Sequence, residues 1–219
     1  MARILKDNGL TIVLMLLFLG SLIGQWLTGW HFENQELSRH GDEAIGLSEF
    51  ATDPEFLSTV FENWESEFLQ MATYVILTAF LIQRGSAESK DPDAPPRDQD
   101  LAEQAKRADA PAPLRAGPAI RWLYAHSLGI VMLLLFAASF VLHWVNSARA
   151  AAEEALQHGE PAMTVGEYLW DAQLWFESFQ NWQSEFLSTA VLVVLSIFLR
   201  QRESPESKPV AAPNSHTGD

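Results

Sequence analysis

Asn63-Trp64-Glu65-Ser66-Glu67-Phe68 recurs as Asn181-Trp182-Gln183-Ser184-Glu185-Phe186, 118 residues later in a chain of 219. Each copy directly precedes an uncharged apolar run that closes on Gln-Arg, at Gln83-Arg84 and at Gln201-Arg202. Around this phrase, 18 of the 30 residues from Phe61 to Lys90 are identical to those from Phe179 to Lys208. The register extends outward at the same offset without a gap. Leu16-Leu17-Phe18 matches Leu134-Leu135-Phe136, Trp26 matches Trp144, and Glu36, His40 and Gly41 match Glu154, His158 and Gly159. A gapless match that runs through loops points to duplication of one unit.

The runs themselves point to a membrane. Gly9 to Trp30 holds no charged residue. Those 22 residues make about 33 Å of helix, enough to cross ~30 Å of hydrocarbon. Arg3 and Lys6 precede the run, so a secretory signal is the competing reading. The run is long for a signal core, Gln25 to Trp30 offers no small-x-small cleavage site, and the same segment recurs mid-chain. Further uncharged runs cover 68–83, 122–148 and 186–199. The expected spans are about 9–30, 64–83, 122–145 and 182–199. With two spans per copy, both copies enter the membrane in the same direction, giving a parallel repeat.

Charge sets the expected orientation. Twelve of the fourteen Lys and Arg fall at the N-terminus, between the copies, or in the tail; only Arg39 and Arg149 fall on the other side. Both termini and the central connection are therefore expected in the cytoplasm. The two outer segments are acidic: residues 31–67 carry ten Asp or Glu against one Arg, and 147–185 carry seven against one. They read as helical continuations of the preceding spans, ending at Gly41 and Gly159. Helix resumes after Asp53-Pro54 in one copy and at Thr164-x-x-Glu167 in the other. Residues 85–118, rich in Ala, Pro and charge, read as a flexible linker, and 203–219 as a disordered tail.

The fold class expected is thus an all-α membrane protein. It comprises two tandem helical hairpins, at 1–84 and 119–202, whose helices extend beyond the outer membrane face. The formal net charge of −14 argues against nucleic acid as a partner. Cysteine is absent, which excludes disulfides and thiolate metal sites. No nucleophile elbow, phosphate loop, zinc motif or dinucleotide fingerprint is present, so neither an enzyme nor a cofactor is expected. The lipid bilayer is the expected partner, with a homo-oligomer or another membrane protein left open.

The repeated phrase carries the candidate site. The run at 186–199 makes only about 21 Å of helix, so the phrase is drawn toward the membrane to supply the missing length. On a helix, Asn63, Ser66, Glu67 and Gln70 form one polar stripe, and Asn181, Ser184, Glu185 and Ser188 repeat it. Trp64, Phe68, Trp182 and Phe186 point in other directions and suit interfacial anchoring. If the stripes face each other, Glu67 and Glu185 form a paired-carboxylate site for a proton or a cation. The plainer alternative is that the stripe is hydrogen-bonding glue between helices. His126 and His143 in the third span are in principle haem ligands, but their counterparts Asn8 and Gln25 supply no pair.

The Asn-Trp-x-Ser-Glu-Phe phrase, the four-span layout and the length resemble an uncharacterised family of bacterial integral membrane proteins, a domain of unknown function. The resemblance covers both copies. It implies a bacterial inner-membrane location and says nothing about activity.

Overall fold

The computed structural model describes residues 2–218, with side chains from Ile4 onward, so the Arg3 side chain used in the orientation argument lies outside them. Among the described residues there is helix and no strand. Four long helices dominate. They are α1 (Ala2–His40), α3 (Pro54–Phe80), α7 (Ser127–Gln157) and α9 (Ala172–Leu195). Short helices α2 (Leu47–Phe50) and α8 (Val165–Tyr168) precede α3 and α9, and α4 (Leu101–Gln104), α5 (Ala112–Arg115) and α6 (Pro118–Ala125) lie between the copies. α1 from Ile4, and α7, are long and apolar enough to cross a membrane. α3 and α9 have the length, but both begin inside acidic segments, which leaves their apolar runs short. The structure therefore offers two clear spans where the sequence reading expects four.

The chain divides into two units, Met1–Val60 with Leu142–Tyr168 and Phe61–Val141 with Leu169–Asp219. Two of the three divisions fall inside α3 and α7, and the third at the end of α8. In the first unit α1 ends as its sequence dictates. Gly41 adopts φ 82°, and the Asp42 N–H returns to the Leu37 carbonyl at 2.9 Å. Gly159 does the same at φ 70°, with Glu160 N–H to Ala155 O at 2.8 Å. Both are left-handed C-terminal caps, which a Cβ would strain.

The return loop is pinned onto α1 by side chains. Trp26 Nε1 donates to Leu47 O at 3.1 Å, and Trp30 Nε1 to Ile45 O at 2.8 Å. Asn34 brackets the Ile45 peptide, accepting its N–H at 2.8 Å and donating to its carbonyl at 3.2 Å. In the later segment Trp144 Nε1 donates to Val165 O at 2.8 Å, the bond of Trp26 displaced by 118 residues. Helix then restarts on acidic caps. Asp53 accepts the Glu55 N–H and Asp171 the Gln173 N–H, at 2.9 and 2.8 Å. The Thr164-Glu167 box forms as its sequence suggests, but it opens the single turn α8, and the longer α9 is capped by Asp171.

On α1, Gly29 faces the buried Phe50 ring, and an added Cβ there would lie 3.1 Å from it. The positions 118 later are Ser147 and Tyr168, both buried, whose hydroxyls meet at 3.4 Å. One copy thus packs a ring on a bare backbone, and the other uses a hydroxyl pair.

In the second unit α3 and α9 end at Phe80 and Leu195, and a common turn follows each. Ser89 Oγ accepts the Gln83 N–H at 3.0 Å, and Ser207 Oγ the Gln201 N–H at 2.8 Å. Lys90 Nζ reaches Ala79 O at 2.5 Å, and Lys208 Nζ reaches Ile197 O at 3.2 Å. Cations on the terminal carbonyls complement the negative helix end.

Expected as a flexible linker and a disordered tail, residues 85–118 and 203–218 carry local structure here. Lys208 is almost wholly buried, and its ammonium also donates to the carbonyls of Gly85, Asn214 and His216 at 2.5, 3.0 and 3.0 Å. Thr217 Oγ1 accepts the Gly85 N–H at 2.8 Å. Burying a charge in an apolar setting is costly, and a ring of carbonyls offsets that cost where composition alone suggests an unstructured segment.

Candidate functional site

The repeated phrase lies in the second unit, on α3 and α9. One edge of the expected stripe does join the two helices. Gln70 Nε2 donates to Thr189 Oγ1 at 2.7 Å, Ser188 Oγ at 3.3 Å and Glu185 O at 3.2 Å. Gln70 and Ser188 are counterparts 118 residues apart, so they meet as two positions on a pseudo-two-fold axis would. Ser66 is buried and donates to the Asn63 carbonyl at 2.8 Å; Ser184, exposed, donates to Asn181 O at 2.8 Å.

The face turned inward is otherwise not the one expected. Asn63 and Glu67 are exposed and Glu185 is half-buried, although the Glu67 charge is felt at Glu185. The carboxylate wholly enclosed by protein is Glu65, at 0 % exposure. Its Oε1 accepts the indole N–H of Trp182 at 2.7 Å. One turn earlier on α3, Glu62 accepts from the Asn181 side-chain amide. Ser58, Glu62, Glu65 and Ser66 have helical spacing, and this face lies about 135° from the one centred on Asn63 and Glu67.

Aromatic rings surround the indole. Trp182 meets Phe179 at 5.4 Å, Phe136 of α7 at 6.1 Å and Trp175 at 6.4 Å, all edge-on. Trp175 meets Phe140 at 5.9 Å. Edge-on rings satisfy the quadrupole of each. Of the expected anchors, Trp182 thus has its polar atom engaged by a carboxylate, Trp64 is half-buried against Phe61 at 5.5 Å, Phe68 is half-buried, and Phe186 is exposed.

α7 carries its own buried polar face. Ser139, His143, Asn146 and Ser147 recur at helical spacing, and His143 is fully buried. His126 has no such setting. It is exposed, stacks on Trp122 at 4.7 Å, and has φ −113°, which separates α6 from α7. Its counterpart Asn8 breaks the regularity of α1 with φ −132°. Among the described residues, no group of His, Asp or Glu has the arrangement of a metal site.

Residues 1–219 match the family described as "Domain of unknown function (DUF6766)". The chain belongs to that family. No curated protein and no solved structure matches it. The DUF6766 match covers both copies of the phrase together with the linker and tail, which the resemblance read from the motif leaves out.

Sequence reasoning bypassed Glu62 and Glu65 and considered His143 only as a haem ligand, though the DUF6766 chain holds a signal for all three. Their counterparts at the offset of 118 are Gln180, Gln183 and Gln25. At each place one copy has an ionisable side chain and the other an amide of similar shape. Identity between copies drew attention to the residues both share, while these three positions differ between them.

Two carboxylates of the first unit are raised. In the first unit, burial and then the charges of Asp53 and Glu36 hold Glu33 above the usual carboxylate range. Glu55 is held up by burial, then by Glu33, Asp53 and Glu154. These acids come from α1, α3 and α7 and the residues flanking them.

Proposed function

We propose that this chain is a four-span bacterial inner-membrane protein of non-enzymatic role. It serves as a scaffold, sensor or component of a membrane complex. The termini and the central connection lie in the cytoplasm, and the acidic return loops lie outside. The carrying observation is the apolar surface of the long helices. Leu10, Leu16, Leu17, Leu134 and Leu187 are each more than 60 % exposed, a surface that lipid accommodates and water does not.

Duplication supports the pairing of each span with a second. The Trp26 and Trp144 pins, the Gly41 and Gly159 caps, the Asp53 and Asp171 caps and the Lys90 and Lys208 turns recur at one offset. In this reading α3 and α9 cross with their acidic N-terminal turns outside and their Gln-Arg ends in the cytoplasm.

The absence of cysteine makes the topology directly testable. Glu43→Cys, Asp100→Cys and Glu160→Cys are introduced singly, and intact cells are treated with an impermeant maleimide. Four spans require labelling at 43 and 160 and protection at 100. Labelling at 100 with protection at 160 would mean that only α1 and α7 cross.

A second reading is a small proton or cation pathway through Glu67 and Glu185. The electrostatic reach of Glu67 to Glu185 and the Gln70–Ser188 contact favour it. Flux into liposomes by wild type, Glu67→Gln and Glu185→Gln separates the two. Flux lost in both variants supports the pathway; no flux in wild type leaves the scaffold.

A further inference from the structure

The last residues of the chain make contacts that neither reading uses. Residues 208–218 lie across the turn that follows α3, within the second unit. Both backbone groups of Gly85 are taken by that segment. Its N–H donates to Thr217 Oγ1 at 2.8 Å, and its carbonyl accepts from Lys208 Nζ at 2.5 Å. The Gly218 N–H donates to the Ser86 carbonyl at 2.9 Å. The buried hydroxyls of Ser86 and Ser196 meet at 2.8 Å, and Arg200 Nη2 donates to Ala212 O at 3.0 Å and Asn214 Oδ1 at 3.2 Å.

Gly85 is the residue this contact demands. It sits at φ 88°, and the residue 118 later, the exposed Glu203, sits at φ 67°. A left-handed residue with a side chain is therefore tolerated at the later turn, so conformation alone does not account for glycine at the earlier one. Space does. A Cβ on Gly85 would lie 2.8 Å from the Asn214 carbonyl oxygen and 3.2 Å from Ile197. The glycine marks a turn with another piece of chain laid over it.

The Lys208 ammonium lies among the carbonyl oxygens of Gly85, Ile197, Asn214 and His216, at 2.5, 3.2, 3.0 and 3.0 Å, with Pro213 O at 3.5 Å. These carbonyls come from the turn after α3, the end of α9 and the tail itself. A cage of carbonyls replaces the water around a monovalent cation. Here the cation is a side chain of the segment being held.

We propose that residues 209–218 are a strap closed over the turn at 85–89, and that the carbonyl cage is a primary-ammonium site whose filling by Lys208 keeps the strap closed. Closed, the strap fixes the start of the connection at 85–118 against the end of α9. With the cage empty, the carbonyls lose their shared donor and the strap lifts from Gly85 and Ser86. No covalent bond changes. The proposal is built from contacts within one unit and rests on neither functional reading.

The test uses the full chain in detergent micelles, with hydrogen exchange followed at residues 84–90 and 209–218. Wild type is expected to protect the Gly85 and Gly218 amides. Lys208→Ala is expected to speed exchange at both by about tenfold or more, the effect of buried carbonyls losing a donor. Propylammonium chloride supplies the deleted carbons and the ammonium, and is expected to slow exchange in Lys208→Ala toward wild type. Sodium chloride at the same concentration is not. Gly85→Ala is expected to speed exchange at 209–218 with no response to propylammonium, and Glu203→Ala to leave that segment unchanged.

Unchanged exchange at Gly85 and Gly218 in Lys208→Ala would overturn the proposal, as would equal slowing by the two salts. Should Gly85→Ala fail to fold, Thr217→Val decides. Faster exchange at both Gly85 and Gly218 supports the strap, and exchange as in wild type removes it.

Discussion

Lys208 and Lys90 stand 118 residues apart at matching places in the sequence, yet the structure uses them differently. Lys90 is half-buried and makes one bond to a helix-end carbonyl. Lys208 is enclosed, and its ammonium is shared among carbonyls of α9's end, the start of the linker and the tail. Replacing Lys208 with Met would leave the buried Gly85 carbonyl and several part-buried ones without this donor, at about 1–3 kcal/mol. The expected result is faster amide exchange at residues 209–218 and at Gly85, measured by hydrogen exchange. Lys90→Met is expected to change exchange only near Ala79. Equal effects from the two substitutions would contradict the asymmetry. Both lysines were legible as basic residues after a helix. That only one is buried was not, because burial depends on what residues 209–218 fold against.

At the scale of the element, the ends of the long helices were the most legible part of the chain. Gly41, Gly159, Asp53-Pro54 and the Thr164 box act through bonds within a few residues of themselves, and local bonds are written in local sequence. Packing of those ends was less legible. It gathers Glu33, Asp53, Glu55 and Glu154 in the first unit and holds Glu33 and Glu55 above their ordinary range. The sign of the consequence is fixed. A carboxyl whose folded value is raised contributes stability that is fully present below its ordinary value and is lost as pH rises through the folded one. Melting temperature is therefore expected to fall as pH is raised from about 4 to 7. Glu55→Gln is expected to raise the melting temperature near pH 7, flatten that slope, and leave the value near pH 4 little changed. An unaltered slope in Glu55→Gln would show that this cluster does not govern stability.

At the scale of the whole molecule, the two units do not coincide with the two copies. Each unit draws residues from both, 1–60 with 142–168 and 61–141 with 169–219. A hairpin copy expressed alone therefore lacks part of each unit. Cutting the chain in the linker, into 1–99 and 100–219, is expected to give halves that are unstable singly, by protease sensitivity, and stable when co-expressed. A first half that resists proteolysis alone would show that a single copy suffices.

Sequence by itself determined the all-α class, the long apolar helices, their caps and the register of 118 between copies. These depend on hydrophobic length, turn chemistry and identity, all of which act locally or add along the chain. It also located the phrase around which α3 and α9 meet, and Gln70 and Ser188 meet there. Only the tertiary structure decided which face of that phrase turns inward. A helix with polar residues at Glu62, Asn63, Glu65, Ser66 and Glu67 is polar through most of a turn, and periodicity cannot choose among directions that are all polar. The choice was made by partners distant in sequence: Asn181 for Glu62, and Trp182 with its ring of aromatics for Glu65.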